Sequence, residues 1–342
     1  MEPTSETPQL NMWATLHGLR SGVAAWTVRT RLSFVGVVFV LAALVGLTGG
    51  SQPAHATYPG ASNGRLAFGF QGADGNVDIY SVLPNGNDFR RLTDAPGLDA
   101  CAAYSPDGKE IAFCSNRSGA LEIWKMQHNG TRQQQVTHAG GRLFFPDFAP
   151  DGARIAFMGQ RPSDSVDHIF VVDASGTGPI ASLTSERDGN NRYPVYSPDG
   201  RQIAFISDRP GACDTSGTPQ VWVMRVDGSD PKQLTCDPSL KDQLPDWSPD
   251  GSKLAYESGS IPNGRIFSMN ADGSQQRQLT SGPGDDFGTA WSPDGRQIAF
   301  VRDFGNNNRP VYVMNADGSD QHAVHPGSAQ FVPAWQPRGV GG

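Results

Sequence analysis

The amino-acid sequence predicts an all-β protein, a six-bladed β-propeller of four-stranded antiparallel blades. The first observation is a Ser-Pro-Asp-Gly motif with following apolar residues, which recurs about every 44 to 51 residues. That period is the length of one four-stranded blade. The second is a composition rich in turn residues, with 41 Gly and 26 Pro, and only 18% charged residues. Short apolar runs at this spacing leave little room for helices.

The repeated motif is clearest at Ser105–Phe113, and similar copies begin at Ala149, Ser197, Ser248 and Ser292. A shortened copy without the turn begins at Arg65. Proline presets φ at the second turn position and glycine accepts a positive φ, so each motif predicts a tight hairpin between the first two strands of a blade. Each copy carries one aliphatic residue that we expect in the core: Leu66, Ile111, Ile155, Ile203, Leu254 and Ile298.

The remaining strands of each blade follow from the residues around the motif. An aromatic residue ends the first strand: Tyr104, Phe148, Tyr196, Trp247 and Trp291. The third strands begin at Asp78, Glu122, His168, Gln220, Arg265 and Pro310. Asn-Gly or Asp-Gly follows in five of them, a strong hairpin signal before a short fourth strand.

The two ends of the repeat region predict how the ring closes. The first copy has no first strand, and the C-terminal residues 331–337 resemble a first strand without a partner. We therefore expect Trp335 to occupy the first-strand position of blade 1. Closing the ring in this way removes free sheet edges, which otherwise favour aggregation.

These repeats resemble the TolB-like six-bladed propeller family, over about residues 63–338. The resemblance implies the fold and leaves the function open, because one fold hosts many functions. TolB itself is periplasmic and carries an additional N-terminal α/β domain, for which this sequence has no room. Its role in outer-membrane integrity is therefore not carried over.

The N-terminal residues predict export. Arg20, Arg29 and Arg31 precede an apolar run at residues 34–47, and Ala54-His55-Ala56 follows. A basic region, a short apolar run and Ala-x-Ala are typical of a secretory signal, here residues 1–56, leaving the propeller at 57–342. The basic region is long, so an uncleaved single-span anchor is the alternative. We expect an extracellular, periplasmic or envelope location.

Export makes disulfide bonds admissible for the four cysteines. Cys101 and Cys114 lie symmetrically about the first hairpin, which predicts that they face each other and form one bond. Cys213 and Cys236 lie in connections at the same end of a later blade, which predicts a second bond. The alternative is four buried thiols in a reducing compartment.

One candidate site is a ring of polar residues at the mouth of the central channel. The residues five positions before each first-strand aromatic are Asp99, Leu143, Asn191, Asp242, Asp286 and Gln330. Converging carboxylates and amides suit a calcium ion, which prefers oxygen ligands. Alternatively, the same side chains cap loop backbones as Asx turns. We expect no other cofactor.

A second candidate site is a set of arginines at the same end of the blades. Arg117, Arg161 and Arg209 each follow a second-strand Phe by four residues, and Arg142 and Arg192 lie in nearby connections. Guanidinium groups in this arrangement suit an anionic sugar or a carboxylate ligand. In the alternative, each arginine packs along its own blade and pairs with a local Asp.

The sequence leaves two main hypotheses for function. The net charge of −7 opposes binding to nucleic-acid phosphates. The first hypothesis is a monomeric, non-catalytic binding or scaffold propeller for an envelope protein or polymer. The rival is a lyase or hydrolase of acidic sugars that uses loop Asp and Arg residues. A membrane-anchored sensor is a third possibility if residues 34–47 stay attached.

Overall fold

The structure is a computed structural model, and it describes residues 61–213, 216–260, 263–325, 327, 329 and 331–339. The predicted signal segment, residues 1–56, lies outside this range. The described residues form a three-residue 3-10 helix, η1 (Glu186–Asp188), and 24 β-strands, numbered in chain order: β1 (Ser62–Gln71), β2 (Val77–Val82), β3 (Arg90–Arg91), β4 (Asp99–Tyr104), β5 (Glu110–Ser115), β6 (Glu122–Gln127), β7 (Gln134–Gln135), β8 (Arg142–Phe148), β9 (Arg154–Gln160), β10 (His168–Asp173), β11 (Ala181–Ser182), β12 (Asn191–Tyr196), β13 (Gln202–Ser207), β14 (Gln220–Arg225), β15 (Lys232–Gln233), β16 (Asp242–Trp247), β17 (Lys253–Ser258), β18 (Arg265–Asn270), β19 (Arg277–Gln278), β20 (Asp285–Trp291), β21 (Gln297–Asp303), β22 (Val311–Asn315), β23 (His322–His325) and β24 (Ala334–Arg338).

These strands form six four-stranded antiparallel sheets, which confirms the predicted six-bladed propeller. Blade 1 has the order β24-β1-β2-β3, and blades 2 to 6 each take four consecutive strands, from β4–β7 through β20–β23. The innermost strand of each blade packs beside the innermost strands of its neighbours, so these strands surround the ring axis. All six predicted aliphatic residues, from Leu66 to Ile298, are fully buried.

Ring closure also occurs as predicted. Trp335 in β24 lies opposite Leu66 in β1, and the strands run antiparallel. The Trp335 indole Nε1 donates a hydrogen bond to the Ala290 carbonyl of blade 6 at 3.1 Å. The closing strand thus ties the first blade to the last, so both ends of the ring share one sheet.

The Ser-Pro-Asp-Gly hairpins repeat one geometry. At the first of them, the Ser105 hydroxyl donates to Asp107 Oδ1 at 2.7 Å and accepts from the Glu110 amide at 2.9 Å. Gly108 has a φ of +67°, and a Cβ there would lie 2.0 Å from the Pro337 carbonyl oxygen. Glycine is therefore required at this turn by both its backbone conformation and its contact with β24.

The innermost strands contain a β-bulge that the sequence analysis missed. In blades 2 to 6 the register between first and second strands shifts in mid-strand. One residue of each bulge has a positive φ: Cys101, Phe145, Tyr193, Leu244 and Gly288. A bulge bends its strand and redirects the side chain of the extra residue.

The bulge explains why one predicted disulfide is wrong and the other is confirmed. Cys213 and Cys236 are bonded, with their Cα atoms 5.6 Å apart. Cys101 and Cys114 are both buried free thiols. The bulge places Ala100 opposite Cys114, so Cys101 does not occupy the facing position that an uninterrupted hairpin gives it. Burial raises the pKa of the Cys114 thiol well above its usual value.

Candidate functional site

Alternating strand directions divide the ring into two faces. The turn face carries the hairpins within each blade, such as residues 105–108, 149–152, 197–200, 248–251 and 292–295. The loop face carries the longer connections. Between second and third strands, the described residues of these connections are 116–121, 161–167, 208–213, 216–219, 259–260, 263–264 and 304–310; between blades, they are 92–98, 136–141, 183–190, 234–241 and 279–284. Neighbouring blades are joined at the loop face, where the Asp242 amide donates to the Pro219 carbonyl at 3.0 Å.

The predicted channel-mouth residues lie at the loop face, at the starts of the innermost strands. Asp99, Asn191, Asp242 and Asp286 are each no more than 3% exposed. Gln330 lies outside the described residues. Leu143 is fully buried and offers no oxygen ligand from its side chain. The buried polar groups therefore depend on partners within the protein.

Arginines of the same blades supply several of those partners. Arg117 Nη2 lies 2.5 Å from Asp99 Oδ2, and Arg209 Nη2 donates to Asn191 Oδ1 at 2.7 Å. Both guanidinium groups also lie over aromatic rings of their own blades, 5.0 to 5.4 Å from the ring centroids. These contacts hold the arginines along the blades.

Arg302 makes the same kind of contact in blade 6. It binds Asp286 through two hydrogen bonds, of 2.6 and 2.9 Å. This arginine lies outside the predicted set, whose members each follow a second-strand Phe by four residues. Arg302 follows Phe300 by two residues. The sequence signal for this pair is an arginine in the second strand at the position opposite a first-strand Asp.

The other predicted arginines are arranged differently. Arg161 binds Asp164 at 3.1 Å in the same connection, and Arg192 binds Asp167 of the preceding blade at 2.5 Å. Arg142 is exposed, with its guanidinium 5.7 Å from the centroid of the Phe144 ring. The structure thus distributes the predicted arginines among separate contacts, and their role in binding an anionic ligand stays a prediction.

A buried acidic group near Asp242 was also missed. Glu257 is 2% exposed in β17, at a position where blades 2, 3, 4 and 6 have Cys114, Met158, Ile206 and Val301. Burial raises the pKa of Glu257 well above its usual value, and the charges of Asp285, Asp242 and Asp286 add to this. Burial also raises the pKa of Asp242 to about 6. Burial is the main physical cause in both cases, because loss of hydration disfavours the charged carboxylate.

Inside the ring, the innermost strands enclose a cavity of about 120 Å³. Asp147 and Asp246 line it, at a position where other blades have Ala103, Val195 and Ala290. Burial raises the pKa of Asp147 to about 7 and that of Asp246 to about 8. Each carboxylate accepts a backbone hydrogen bond from the next blade, Asp147 from Tyr196 at 2.7 Å and Asp246 from Trp291 at 2.6 Å.

Aromatic side chains from the bulges pack inside the ring on the loop-face side of these carboxylates. The rings of Phe145 and Tyr193 meet edge to face at 4.7 Å, and Phe331 lies 6.4 Å from Phe145. All three residues are at least 92% buried. The carboxylates that line the cavity are thus different residues from the predicted channel-mouth ring, and calcium binding by that ring stays a prediction.

No helix among the described residues has the length and apolar character needed to cross a membrane. The apolar run at 34–47 lies outside those residues.

Comparison with known proteins identifies relatives of the repeat region. The family described as the TolB beta propeller domain matches residues 43–163, 131–244 and 239–341. A TolB homolog of Chlorobium luteolum is 41% identical over 58 residues, which cover 17% of this chain and 13% of that protein. The match therefore spans a small part of that relative's length.

Solved structures share the fold at low sequence identity. TolB from Acinetobacter baumannii superposes with a TM-score of 0.67 at 23% identity, covering 82% of this chain and 68% of TolB. An oligogalacturonate lyase in complex with manganese superposes with a TM-score of 0.52 at 22% identity, covering 74% of this chain and 72% of the lyase. At such identities the likeness is one of fold.

Proposed function

The chain belongs to the TolB beta propeller domain family, and from that premise we propose that it is an exported, non-catalytic binding or scaffold propeller. Its ligand is a protein segment or an envelope polymer, held on the loop face by a monomeric ring. The observation that carries the proposal is the contrast between the two faces.

The turn face presents nearly the same chemistry in every blade. The Ser-to-Asp hydrogen bond of the hairpin recurs at 2.6 to 2.7 Å in four of the five Ser-Pro-Asp-Gly-type turns. In the hairpins between third and fourth strands, the Ser229 hydroxyl donates to Asp227 and the Ser319 hydroxyl donates to Asp317, both at 2.6 Å. A surface that repeats around the ring offers few features by which one particular ligand is recognised.

The loop face differs from blade to blade. At one equivalent position near the start of the third strand, the six blades have Asp78, Glu122, His168, Gln220, Arg265 and Pro310. Among the described residues, Phe304 is the exposed large apolar side chain, at 41% exposure, and it lies in the loop-face connection of blade 6. Variable connections on a rigid ring, with an exposed aromatic side chain, are typical of binding surfaces.

The test compares two double variants of the full-length protein, one on each face. Phe304→Ala with Arg187→Ala removes exposed loop-face side chains. Lys109→Ala with Arg201→Ala removes turn-face side chains that are 74% and 85% exposed. Cross-linking to the envelope fraction of the source organism, followed by mass spectrometry, identifies what each protein holds. Thermal melts confirm that both variants fold.

We expect a partner that the wild type and the turn-face variant retain and the loop-face variant loses. Equal retention by both variants contradicts the proposed face. The rival hypothesis has its own measurement, incubation with acidic oligosaccharides and detection of new chain ends. Cleavage by the wild type would replace the binding proposal with the lyase or hydrolase hypothesis.

A further inference from the structure

Three polar side chains from separate segments meet on the loop face of blade 3. His168 begins β10 and is 3% exposed. Asp164 lies in the connection before β10, and Glu186 lies in η1. One potential ligand atom from each residue lies within 4.8 Å of the other two. These residues are absent from the predicted sites, because their spacing along the chain matches no metal motif.

The distances suit coordination of one ion. His168 Nε2 lies 3.3 Å from Glu186 Oε1. Two ligands bound about 2.1 Å from one metal, at tetrahedral or octahedral angles, lie about 3.0 to 3.4 Å apart. The other imidazole nitrogen, Nδ1, lies 3.3 Å from the Thr184 hydroxyl, which accepts the Ile169 amide at 3.1 Å. An outer contact of this kind orients a metal-binding histidine.

Hydrogen bonds from neighbouring residues hold both carboxyl groups in place. Asp164 Oδ2 accepts hydrogen bonds from the Arg161 amide at 2.8 Å and from Arg161 Nε at 3.1 Å. Glu186 accepts hydrogen bonds from the Ser165 amide at 3.1 Å and from the Ser165 hydroxyl. Asp164 Oδ1 accepts a hydrogen bond from the Ser163 hydroxyl at 3.4 Å. An imidazole nitrogen and two carboxylates make a ligand set whose charge a divalent cation balances.

In blades 2 and 4, the residue at the position of His168 makes hydrogen bonds to the backbone of the connection that leads to the next blade. Glu122 accepts a hydrogen bond from the Gly140 amide at 2.6 Å. Gln220 donates to the Asp237 and Leu240 carbonyls at 2.9 and 3.0 Å. Each reaches backbone groups of the following connection directly. His168 instead meets a carboxylate that is 50% exposed, with a second carboxyl group close by.

We propose that Asp164, His168 and Glu186 bind one divalent transition-metal ion of the zinc class. The imidazole nitrogen favours such an ion over calcium and magnesium, which take oxygen ligands. The metal joins the two connections that flank blade 3, at residues 161–167 and 183–190. Three protein ligands leave a fourth position for water on the exposed side of Glu186.

The test is a calorimetric titration of the full-length, chelator-treated protein with zinc, and with calcium in parallel. Asp164→Asn, His168→Gln and Glu186→Gln each remove one ligand. His168→Gln introduces the residue that blade 4 has at this position. We therefore expect hydrogen bonds to the following connection, like those of Gln220, to replace the imidazole contacts. The controls are Glu122→Gln, at the equivalent position of blade 2, and His322→Gln, an exposed histidine of β23. Melting temperatures with and without zinc provide a second readout.

We expect zinc to bind this site once per chain and calcium to bind it far more weakly. Each ligand variant weakens zinc binding by at least about tenfold and loses the rise in melting temperature, whereas both controls retain both. If His168→Gln does not fold, Asp164→Asn and Glu186→Gln carry the same test from loop positions. The proposal is overturned if the wild type does not bind zinc, or if the three ligand variants bind zinc with the same affinity as the wild type.

Discussion

On the turn face, a hairpin serine hydroxyl donates a hydrogen bond to the hairpin aspartate in four of the six blades. On the loop face, one structural position holds Asp78 beside Arg91 at 2.6 Å in blade 1 and Glu122 beside a backbone amide in blade 2. It holds Arg265 in blade 5, where the guanidinium donates to the Gly284 carbonyl at 2.7 Å. The repeated face carries the fold, and the varied face leaves each blade free to acquire its own chemistry.

The difference teaches how a repeat protein combines stability with specificity. A hairpin turn has few solutions, so the Ser-Pro-Asp-Gly sequence serves blades 2, 4, 5 and 6, and Ala-Pro-Asp-Gly serves blade 3. A connection between blades needs only to span a gap and satisfy its backbone, which many side chains accomplish. Binding residues can therefore change on the loop face at little cost to the ring.

The largest expected effect concerns β24, the C-terminal strand that pairs with β1 and closes the ring. Trp335→Ala removes a side chain that is 4% exposed and ties β24 to blade 6. We expect a loss of about 3 to 5 kcal/mol in the free energy of unfolding, similar to that of Trp291→Ala at the equivalent position. Urea denaturation of both variants measures it. A much smaller loss for Trp335→Ala would show that the closing strand is dispensable.

The second prediction sharpens the contrast within the loop face. Arg302→Ala leaves Asp286 buried at 1% exposure without its bidentate partner, which costs about 3 kcal/mol or more. Arg142→Ala removes an exposed side chain, with an expected cost below about 1 kcal/mol. Denaturation curves at neutral pH compare the two. Equal losses of stability in the two variants would contradict a specific stabilising role for the Asp286–Arg302 pair.

The third prediction concerns Asp246, one of the two carboxylates that line the cavity at a position where most blades have an apolar residue. The pKa of Asp246 is about 8 in the folded state and about 4 in an unfolded chain. Its contribution to stability is therefore complete below about pH 4 and is lost as the pH rises to about 8. Asp246→Asn keeps an oxygen that accepts the Trp291 amide but does not titrate.

We therefore expect Asp246→Asn to gain about 1 to 2 kcal/mol relative to the wild type between pH 5 and pH 8. This value is discounted because the carboxylate borders a cavity. Chemical denaturation at several pH values measures the difference, and Asp230→Asn, whose side chain is 77% exposed, is the control. An Asp246→Asn curve parallel to the wild type across this range would contradict a raised pKa.

Much of the fold was predictable because its signals are local. The spacing of Leu66, Ile111 and their equivalents gave the blade period, and the missing first strand indicated closure by Trp335. The candidate site was less predictable because its partners are distant in the chain. Glu257 and Asp246 occupy positions that are apolar in most other blades, and an unexpected charge in a repeat is the signal that would have found them.

The sequence by itself determined the number of blades, the hairpins and the closing strand, because turn chemistry is local and the repeat period is visible along the chain. It also predicted the Cys213–Cys236 bond, which the structure confirms. Only the tertiary structure decided the bulges, the free thiols of Cys101 and Cys114, the arginine pairs and the meeting of Asp164, His168 and Glu186. Those features depend on register shifts and on contacts between connections, which no local pattern specifies.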